Sequence, residues 1–446
     1  MRAGVLAALL LALLLAAPLA AADHPGSNKG LRGLLGLPLD VTAPLDTNLV
    51  HRLPTVDAKM GAWEAAFPDF VERQTIGATS AGLPLYNVRV TDERVAFDAA
   101  PLSTGQKLRV YLDGGHHGNE YLGVELVMYY LEGLLTDAAA GDEAALDYLA
   151  KVEIYATPII NPTGNFADTR KNGNLVDVNR NYDFHWGEEG ASDNVADFTY
   201  HGSAAESEPE VKANADFQRE IHPDIVVTMH TGIAEFYWPW GWTHDPAPDD
   251  ALFTSLEAPF ENVTNGRVDA MQGAELYIVS GASDDWAYSE LGAPGFTFEV
   301  HEDQFIPVYG EPIPAIISDQ LAGLDWIVKN VRHIGAWVEL RQDETGAWLA
   351  VNEGWGAATN VTILAGGETL VIPRIERDES FPVALDVEQG ASWSYPALFI
   401  ETTKTRTHTL DVATPATAPD TASVPAPGVA LAAVALVGLA LALRRR

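Results

Sequence analysis

The chain has 446 residues, 47% of them hydrophobic, which is enough apolar material for a sizeable core and argues against a disordered protein. Its 62 acidic residues outnumber the 27 basic ones, giving a net charge of −35; this argues against nucleic acid as a partner, because phosphate binding needs clustered cations. There is no cysteine, so disulfides are excluded and any zinc ligands must be histidines or carboxylates.

The first residues carry the pattern of an export signal. Residues 1–22 contain one arginine, an apolar Leu/Ala run and the stretch Ala20–Ala22, which suits a cleavage site before Asp23. We expect a signal peptide here, and an uncleaved N-terminal anchor is the alternative. Residues 23–51 would then form an N-terminal arm or a short pro-segment.

Residues 52–334 alternate between strand-like and helix-like segments. Such alternation predicts an α/β fold, in which helices flank a mixed, mostly parallel sheet. The segments on which this prediction rests are the strands Leu108–Leu112, Val152–Ile160, Ile225–Met229 and Phe296–Val300 and the helix Tyr121–Leu135.

Polar side chains follow several of these strands. His117 and Glu120 come in the turn after the first strand, His230 directly follows the third, and Glu299 lies near the end of the fourth. Ligands of open α/β sheets bind at the carboxyl ends of the strands, so we expect these side chains to converge. Two histidines and one carboxylate suit a catalytic zinc ion with an open position, and they also describe non-haem iron sites.

The last quarter of the chain has a different pattern. Residues 336–412 consist of short alternating runs separated by Gly, Asn and Asp, which predicts a small β-sandwich domain of immunoglobulin-like type, interpreted as a structural spacer. Residues 413–423 form a Pro/Thr/Ala linker, and residues 424–446 combine an apolar run with three arginines. We expect this last segment to be a transmembrane helix or a sorting signal that anchors an exported body at the outer face of the membrane.

Six blocks of sequence occur in a fixed order between His117 and Glu299. They are His117-Gly-Asn-Glu120; Asn161-Pro-Thr-Gly164 with Arg170 and Val176-Asp-Val-Asn-Arg-Asn-Tyr182; Thr199–Gly202 with Ser207–Val211; His230 with Trp238–Gly241; Tyr277 with Gly281–Tyr288; and Phe296–Glu299. In order and spacing this set resembles the zinc metallocarboxypeptidase family, of the carboxypeptidase A/B type. The resemblance implies an enzyme that hydrolyses the C-terminal peptide bond of peptides and proteins.

The resemblance also implies which residues bind the metal and which take part in the hydrolysis. His117, Glu120 and His230 would hold one Zn²⁺ ion. Glu299 would act as the general base that takes a proton from the attacking water and passes it to the leaving amine. Arg170 would stabilise the oxyanion of the tetrahedral intermediate. His116 has the wrong spacing to be a ligand and is expected to pack on the preceding strand.

A second group of residues would bind the substrate. Arg180, helped by Asn179, would hold the terminal carboxylate through paired hydrogen bonds, and Tyr277 would close over the departing residue. Asp284 stands where carboxypeptidase B-like members carry the aspartate that faces the departing side chain, which predicts a preference for C-terminal Lys or Arg. The alternative is that Asp284 turns outward or is paired internally, with Asp285 serving the fold.

Two other functions stay open at this point. One is a related zinc amidohydrolase that acts on cell-wall peptides or acyl-amino acids. The other is a surface binding protein that keeps the fold without activity, although such proteins usually lose a ligand or the base, and this chain keeps both. The sequence leaves the oligomeric state undetermined.

Overall fold

An eight-stranded sheet forms the centre of a computed structural model that describes residues 49–301 and 311–411. Its strands are β1 (Val71–Ala78), β2 (Pro84–Val90), β3 (Leu108–Gly114), β4 (Val152–Thr157), β5 (Ile225–His230), β6 (Glu235–Trp238), β7 (Asp269–Gln272) and β8 (Gly295–Glu299). They lie in the order β1-β2-β4-β3-β5-β8-β6-β7. The central strands β4, β3, β5 and β8 are parallel, and so are β6 and β7. The pairs β1–β2, β2–β4 and β6–β8 are antiparallel. The mixed sheet expected from the sequence is confirmed.

Helices cover this sheet. They are α1 (Leu53–Ala66), α2 (Tyr121–Ala140), α3 (Glu143–Leu149), α4 (Pro162–Ala167), α5 (Pro209–Ile221), α6 (Asp250–Thr254), α7 (Glu257–Val263), α8 (Ser283–Leu291), α9 (Ile313–Ile316) and α10 (Ser318–Lys329), and short 3-10 turns span Phe97–Ala99, Val178–Arg180, Gly273–Glu275 and Val387–Gln389. The helix α2 is buried along most of its length, which suits its almost entirely apolar first half. It extends past the expected end at Leu135 and is capped by Gly141. The φ of Gly141 is 82°, a conformation that residues with a side chain rarely adopt.

The strand expected over Val152–Ile160 is shorter than the sequence predicts. It ends at Thr157 because the next residue, Pro158, has no amide hydrogen to donate to a neighbouring strand. The chain nevertheless continues along the sheet, since the amide of Ile160 donates to the carbonyl of Gly114. The parallel strands therefore deliver their polar C-terminal residues to one edge of the sheet.

The region after α10 is all-β. It consists of a three-stranded sheet and a four-stranded sheet, formed by β9 (Val338–Gln342), β10 (Trp348–Asn352), β11 (Ala358–Ala365), β12 (Glu368–Ile375), β13 (Ser380–Pro382), β14 (Ala391–Pro396) and β15 (Thr405–Leu410). Inward residues of both sheets, such as Leu340, Ile363 and Trp393, share one apolar cluster. An all-β region was expected here, and the structure has one.

This β region also packs on the α/β part. Trp337, Leu398 and Ile400 belong to the same buried apolar cluster as the helices of the α/β part. Polar contacts add to this packing, since the amide of Phe399 donates to Asp249 Oδ1 at 2.8 Å. The β region and the α/β part therefore share buried apolar core.

Several expected segments lie outside the described residues: the signal peptide at 1–22, residues 23–48 of the arm, the linker at 413–423 and the apolar segment at 424–446. Within residues 49–301 and 311–411, no helix combines the length and the apolar character that a membrane span needs.

Candidate metal centre

Two of the expected ligands come from the turn between β3 and α2. His117 and Glu120 are both buried, and Nδ1 of His117 lies 2.7 Å from Oε1 of Glu120. Glu120 is the residue directly before α2, so the start of that helix fixes its backbone. The spacing of three residues within a tight turn is what lets both side chains face the same point.

His230 brings a third donor to the same point from the end of β5. Its Nδ1 lies 2.9 Å from Oε2 of Glu120 and 3.1 Å from Nδ1 of His117. Among the described residues, His117, Glu120 and His230 form the group that could hold a metal ion. Their ligand atoms all lie within 4.8 Å of one another. Burial lowers the pKa of His230, which favours the neutral ring that a metal needs. Two ring nitrogens and a carboxylate oxygen that converge in a buried site fit a zinc ion.

The far sides of both histidine rings are occupied. Nε2 of His117 lies 3.0 Å from Oδ1 of Asp177, and Nε2 of His230 lies 3.2 Å from Nδ2 of Asn179. Burial alone would raise the pKa of Asp177, but its neighbours, above all the positive charge of Arg170, outweigh burial and hold this pKa well below its usual range. An ionised carboxylate behind a ligand histidine fixes the orientation of the ring.

Glu299 ends β8 and pairs in register with His230 on β5. Its Oε2 is buried and has no hydrogen-bond partner among the residues described. Burial, reinforced by the negative charge of Glu120, raises the pKa of Glu299 well above the usual range. A carboxyl group with a raised pKa beside the ligand cluster is suited to accept a proton and to return it.

Arg170 lies beside the ligands and is held by Asp177. Its Nε and Nη2 donate to Oδ2 of Asp177 at 3.0 and 2.8 Å, and its Nη1 lies 3.2 Å from Nδ1 of His117 and 3.5 Å from Oε1 of Glu120. Two donors that share one carboxylate oxygen fix the plane of the guanidinium. Its remaining edge lines the same cavity as the ligand histidines.

The expected substrate-binding residues line that cavity too. Arg180 donates through Nε and Nη1 to the carbonyls of Gly190 and Asn179 at 3.0 and 2.8 Å, so backbone contacts fix the guanidinium at the cavity wall. Asn179 accepts from the amide of Ser283. The ring of Tyr277 is half exposed at the cavity rim. The structure thus brings all nine expected site residues around one cavity or its metal ligands.

Asp284 and Asp285 have different environments although they are neighbours in α8. Asp284 lines the cavity, and its Oδ2 accepts from the hydroxyl of Thr297 at 2.9 Å. Asp285 accepts from the amides of Gly241 and Trp242 at 2.9 to 3.0 Å, and burial together with the charge of Asp284 raises its pKa well above the usual range. Asp285 therefore holds the Gly241 loop, whereas Asp284 faces the cavity.

Some residues of the site were not expected from the sequence. Asp177 lies within the recognised Val176–Tyr182 block but received no role, and Thr297 and Tyr237 also line or support the cavity. A second-sphere carboxylate commonly accompanies a ligand histidine, but the sequence alone does not show which carboxylate of the chain it is. Tyr237 and Gly241, both within the Trp-rich run Tyr237–Trp242, line the cavity.

Comparison with known proteins gives the same assignment. Residues 56–320 match the family model described as zinc carboxypeptidase. Mouse carboxypeptidase A4 is 28% identical over 312 residues, covering 63% of this chain and 70% of that protein, and bovine carboxypeptidase B2 is 29% identical over 277 residues, covering 56% and 63%. The structure of bovine thrombin-activatable fibrinolysis inhibitor in complex with tick carboxypeptidase inhibitor superposes with a TM-score of 0.53 at 27% identity, covering 63% of this chain and 97% of that one.

The family model covers more than half of the sequence, and the buried His-Glu-His cluster provides the ligands for one zinc ion. By sequence, fold and metal site, this chain belongs to the zinc carboxypeptidase family.

Proposed function

We propose that the protein removes single residues from the C-terminus of peptides and proteins in a zinc-dependent reaction. The observation that carries this proposal is one cavity lined by two of the metal-binding side chains, the carboxyl group of Glu299 and two arginines. A zinc ion in this site would supply a Lewis acid that polarises the scissile carbonyl. The protein's own residues would then supply proton transfer and charge stabilisation.

Glu299 would accept a proton from the attacking water and deliver it to the nitrogen of the departing residue. Its Oε2 supports this role, because this buried atom lies at the cavity of the ligand histidines and has no hydrogen-bond partner among the described residues. Arg170 would stabilise the negative charge that develops on the carbonyl oxygen. The contact with Asp177 supports this role, since a preorganised donor needs little rearrangement during the reaction.

The choice of the chain terminus would come from Arg180 and Asn179. A planar guanidinium fixed at the cavity wall can form paired hydrogen bonds with a terminal carboxylate, which an internal peptide bond lacks. Tyr277, half exposed at the rim, would cover the bound residue. These contacts would make the enzyme an exopeptidase.

We also propose a preference for C-terminal Lys or Arg, based on Asp284. A carboxylate that lines a mostly buried cavity is costly to desolvate unless a cation pairs with it, so a basic side chain would be favoured over an apolar one. The bond from Thr297 goes to Oδ2 of Asp284, and Oδ1 would be the atom that receives the cation of a substrate. The relatives include carboxypeptidases named A and B, so this preference needs its own measurement.

The function is tested by mass spectrometry of a peptide incubated with the purified protein. We expect stepwise loss of residues from the C-terminus, a complete block by a zinc chelator, and no loss from the same peptide with an amidated C-terminus. Cleavage at internal bonds, or release of an acyl group with the peptide ends intact, would instead favour the amidohydrolase alternative. Zinc binding without any cleavage would indicate a binding protein.

For location, we propose that the protein is exported and attached to the outer face of the cell membrane. The proposal rests on the signal-like residues 1–22 and on the apolar segment followed by three arginines at residues 424–446.

A further inference from the structure

His116 precedes a metal ligand in the chain but is not one itself. It is fully buried, and its Nε2 lies 2.8 Å from the hydroxyl of Tyr182. Its ring stacks on the ring of His230, with centroids 5.5 Å apart and an angle of 25° between the planes. His116 therefore connects a ligand ring with a buried polar network behind the metal site.

The network fixes the direction of each hydrogen bond. Nδ2 of Asn214 donates to Oδ2 of Asp113 at 3.2 Å and to the hydroxyl oxygen of Tyr182 at 2.8 Å, while Oδ1 of Asn214 accepts from the hydroxyl of Tyr111. Because the oxygen of Tyr182 already accepts from Asn214, the hydroxyl hydrogen of Tyr182 is available to donate to Nε2 of His116.

This direction determines which nitrogen of His116 carries the hydrogen. With Nε2 accepting from Tyr182, the neutral ring has its hydrogen on Nδ1, which lies 3.7 Å from Oδ1 of Asp113. The hydrogen bond with Tyr182 therefore holds the ring at Nε2, while Nδ1 makes no hydrogen bond within the described residues. The carbonyl of His116 also accepts from Nδ2 of Asn161, at 3.1 Å, so the backbone is held as well.

We propose that His116 is a positioning residue for the metal centre. The hydrogen bond from Tyr182 fixes the ring of His116, and this ring supports that of His230 in the orientation in which Nδ1 faces Glu120 and His117. The inference rests on the zinc site described above. It predicts that zinc affinity depends on the Tyr182–His116 hydrogen bond, although neither residue belongs to the group of candidate ligands.

The test is the zinc dissociation constant of the metal-depleted full chain, measured by competition with a chromophoric chelator. His116→Phe keeps a ring against His230 but removes both nitrogens, and Tyr182→Phe removes the hydroxyl alone. We expect each variant to bind zinc roughly tenfold more weakly, as substitutions behind metal ligands usually do. The double variant should be no weaker than the weaker single one, because the two residues act through one contact.

Tyr395→Phe is the matched control. The hydroxyl of Tyr395 lies 2.7 Å from Nε2 of the buried His408 in the β region, so the same kind of contact is lost away from the metal. We expect this control to lower the unfolding temperature and to leave the zinc dissociation constant within twofold of the parent value. If His116→Phe does not fold, the zinc dissociation constants of Tyr182→Phe and Tyr395→Phe still test the proposal.

Zinc affinity within twofold of the parent for Tyr182→Phe, or fully additive losses in the double variant, would overturn the proposal. A parent chain that binds no zinc would instead refute the metal site and the proposed function together. The two failures are therefore distinguishable in one experiment.

Discussion

At the scale of single residues, the metal centre separates side chains that hold the ion from the one that moves a proton. Glu299→Gln removes the proton acceptor and leaves His117, Glu120 and His230 in place. We expect this variant to retain zinc and to lose about 10²–10⁴-fold in kcat, the usual contribution of a general base. His230→Ala should instead lose zinc on dialysis. Metal content and kcat measured side by side check both, and near-normal turnover of Glu299→Gln would remove Glu299 from its role.

Specificity is a second property of one residue. Asp284→Ile removes the carboxylate from the cavity, so we expect kcat/KM for peptides ending in Arg or Lys to fall by about 10–100-fold, the value of a charge-assisted hydrogen bond. Peptides ending in Phe or Leu should be cleaved equally well or better. The measurement compares four matched peptides with the parent and the variant.

Asp285→Asn is the control for this substitution. Asp285 accepts from the amides of Gly241 and Trp242, and the carbonyl oxygen of asparagine can still accept from them, so the loop keeps a contact while the cavity keeps Asp284. We expect the ratio of Arg to Phe rates to stay unchanged in this variant. A parent enzyme that prefers Phe would contradict the role of Asp284 and leave the carboxypeptidase proposal standing.

How much of this site a sequence can predict depends on how the partners are connected. His117 and Glu120 are three residues apart, and the ends of predicted strands indicate that His230 and Glu299 lie nearby. The contact of Asp177 with Nε2 of His117 joins residues 60 positions apart, and the stacking of His116 on His230 depends on neighbouring strands. Such contacts follow from side-chain packing, which neither periodicity nor motif spacing specifies.

At the scale of elements, the helix α8 connects the substrate cavity with the β region. Its first turn holds Asp284 at the cavity, and its C-terminal end lies against the loop between β14 and β15, where the hydroxyl of Thr402 donates to the carbonyl of Ser289 at 2.6 Å. Tyr288 in the middle of the helix donates to Asp249 at 2.5 Å, and Asp249 also accepts from Phe399. We therefore expect movement of that loop to displace α8, and with it Asp284 at the cavity.

Gly292 ends α8 with a φ of 60°, and a Cβ placed there would lie 2.5 Å from the carbonyl oxygen of Thr402. We expect Gly292→Ala to cost about 2–4 kcal/mol in the free energy of unfolding, from backbone strain and overpacking together. Gly141 ends α2 with a φ of 82°, but a Cβ there would meet no heavy atom of the described chain within 4 Å. Gly141→Ala should therefore cost only about 1 kcal/mol. Chemical denaturation of both variants measures the difference, and equal costs would refute a tight contact at Gly292.

At the scale of the whole molecule, the β region completes the core of the α/β part. Leu398 is buried in that shared core, so we expect Leu398→Ala to lower the free energy of unfolding by about 2–5 kcal/mol. Leu364→Ala makes the same change on the outer face of β11, where the side chain is half exposed, and should change stability by less than about 0.5 kcal/mol. Thermal inactivation of peptidase activity should follow the same order. A stable, active enzyme with Leu398→Ala would support the interpretation of the β region as a spacer.

The proposed location also concerns the whole chain. If residues 424–446 anchor an exported protein, protease added to intact cells should degrade the catalytic domain, and a chain truncated before Val424 should appear in the medium with full activity. Fractionation of cells that express both chains makes the comparison. A truncated chain that stayed with the membrane would refute the anchor.

The sharing of Leu398 and Ile400 with the α/β core has a consequence for the order of events during synthesis. Both residues lie close to the end of the described chain, whereas the last of the proposed zinc ligands along the sequence is His230. A growing chain therefore has every ligand long before it can close its core. We expect stable zinc loading to wait until the loop after β14 has been made and, in an exported protein, moved across the membrane. A chain broken off before residue 397 would then be degraded as an unfinished protein and would not persist as a smaller enzyme.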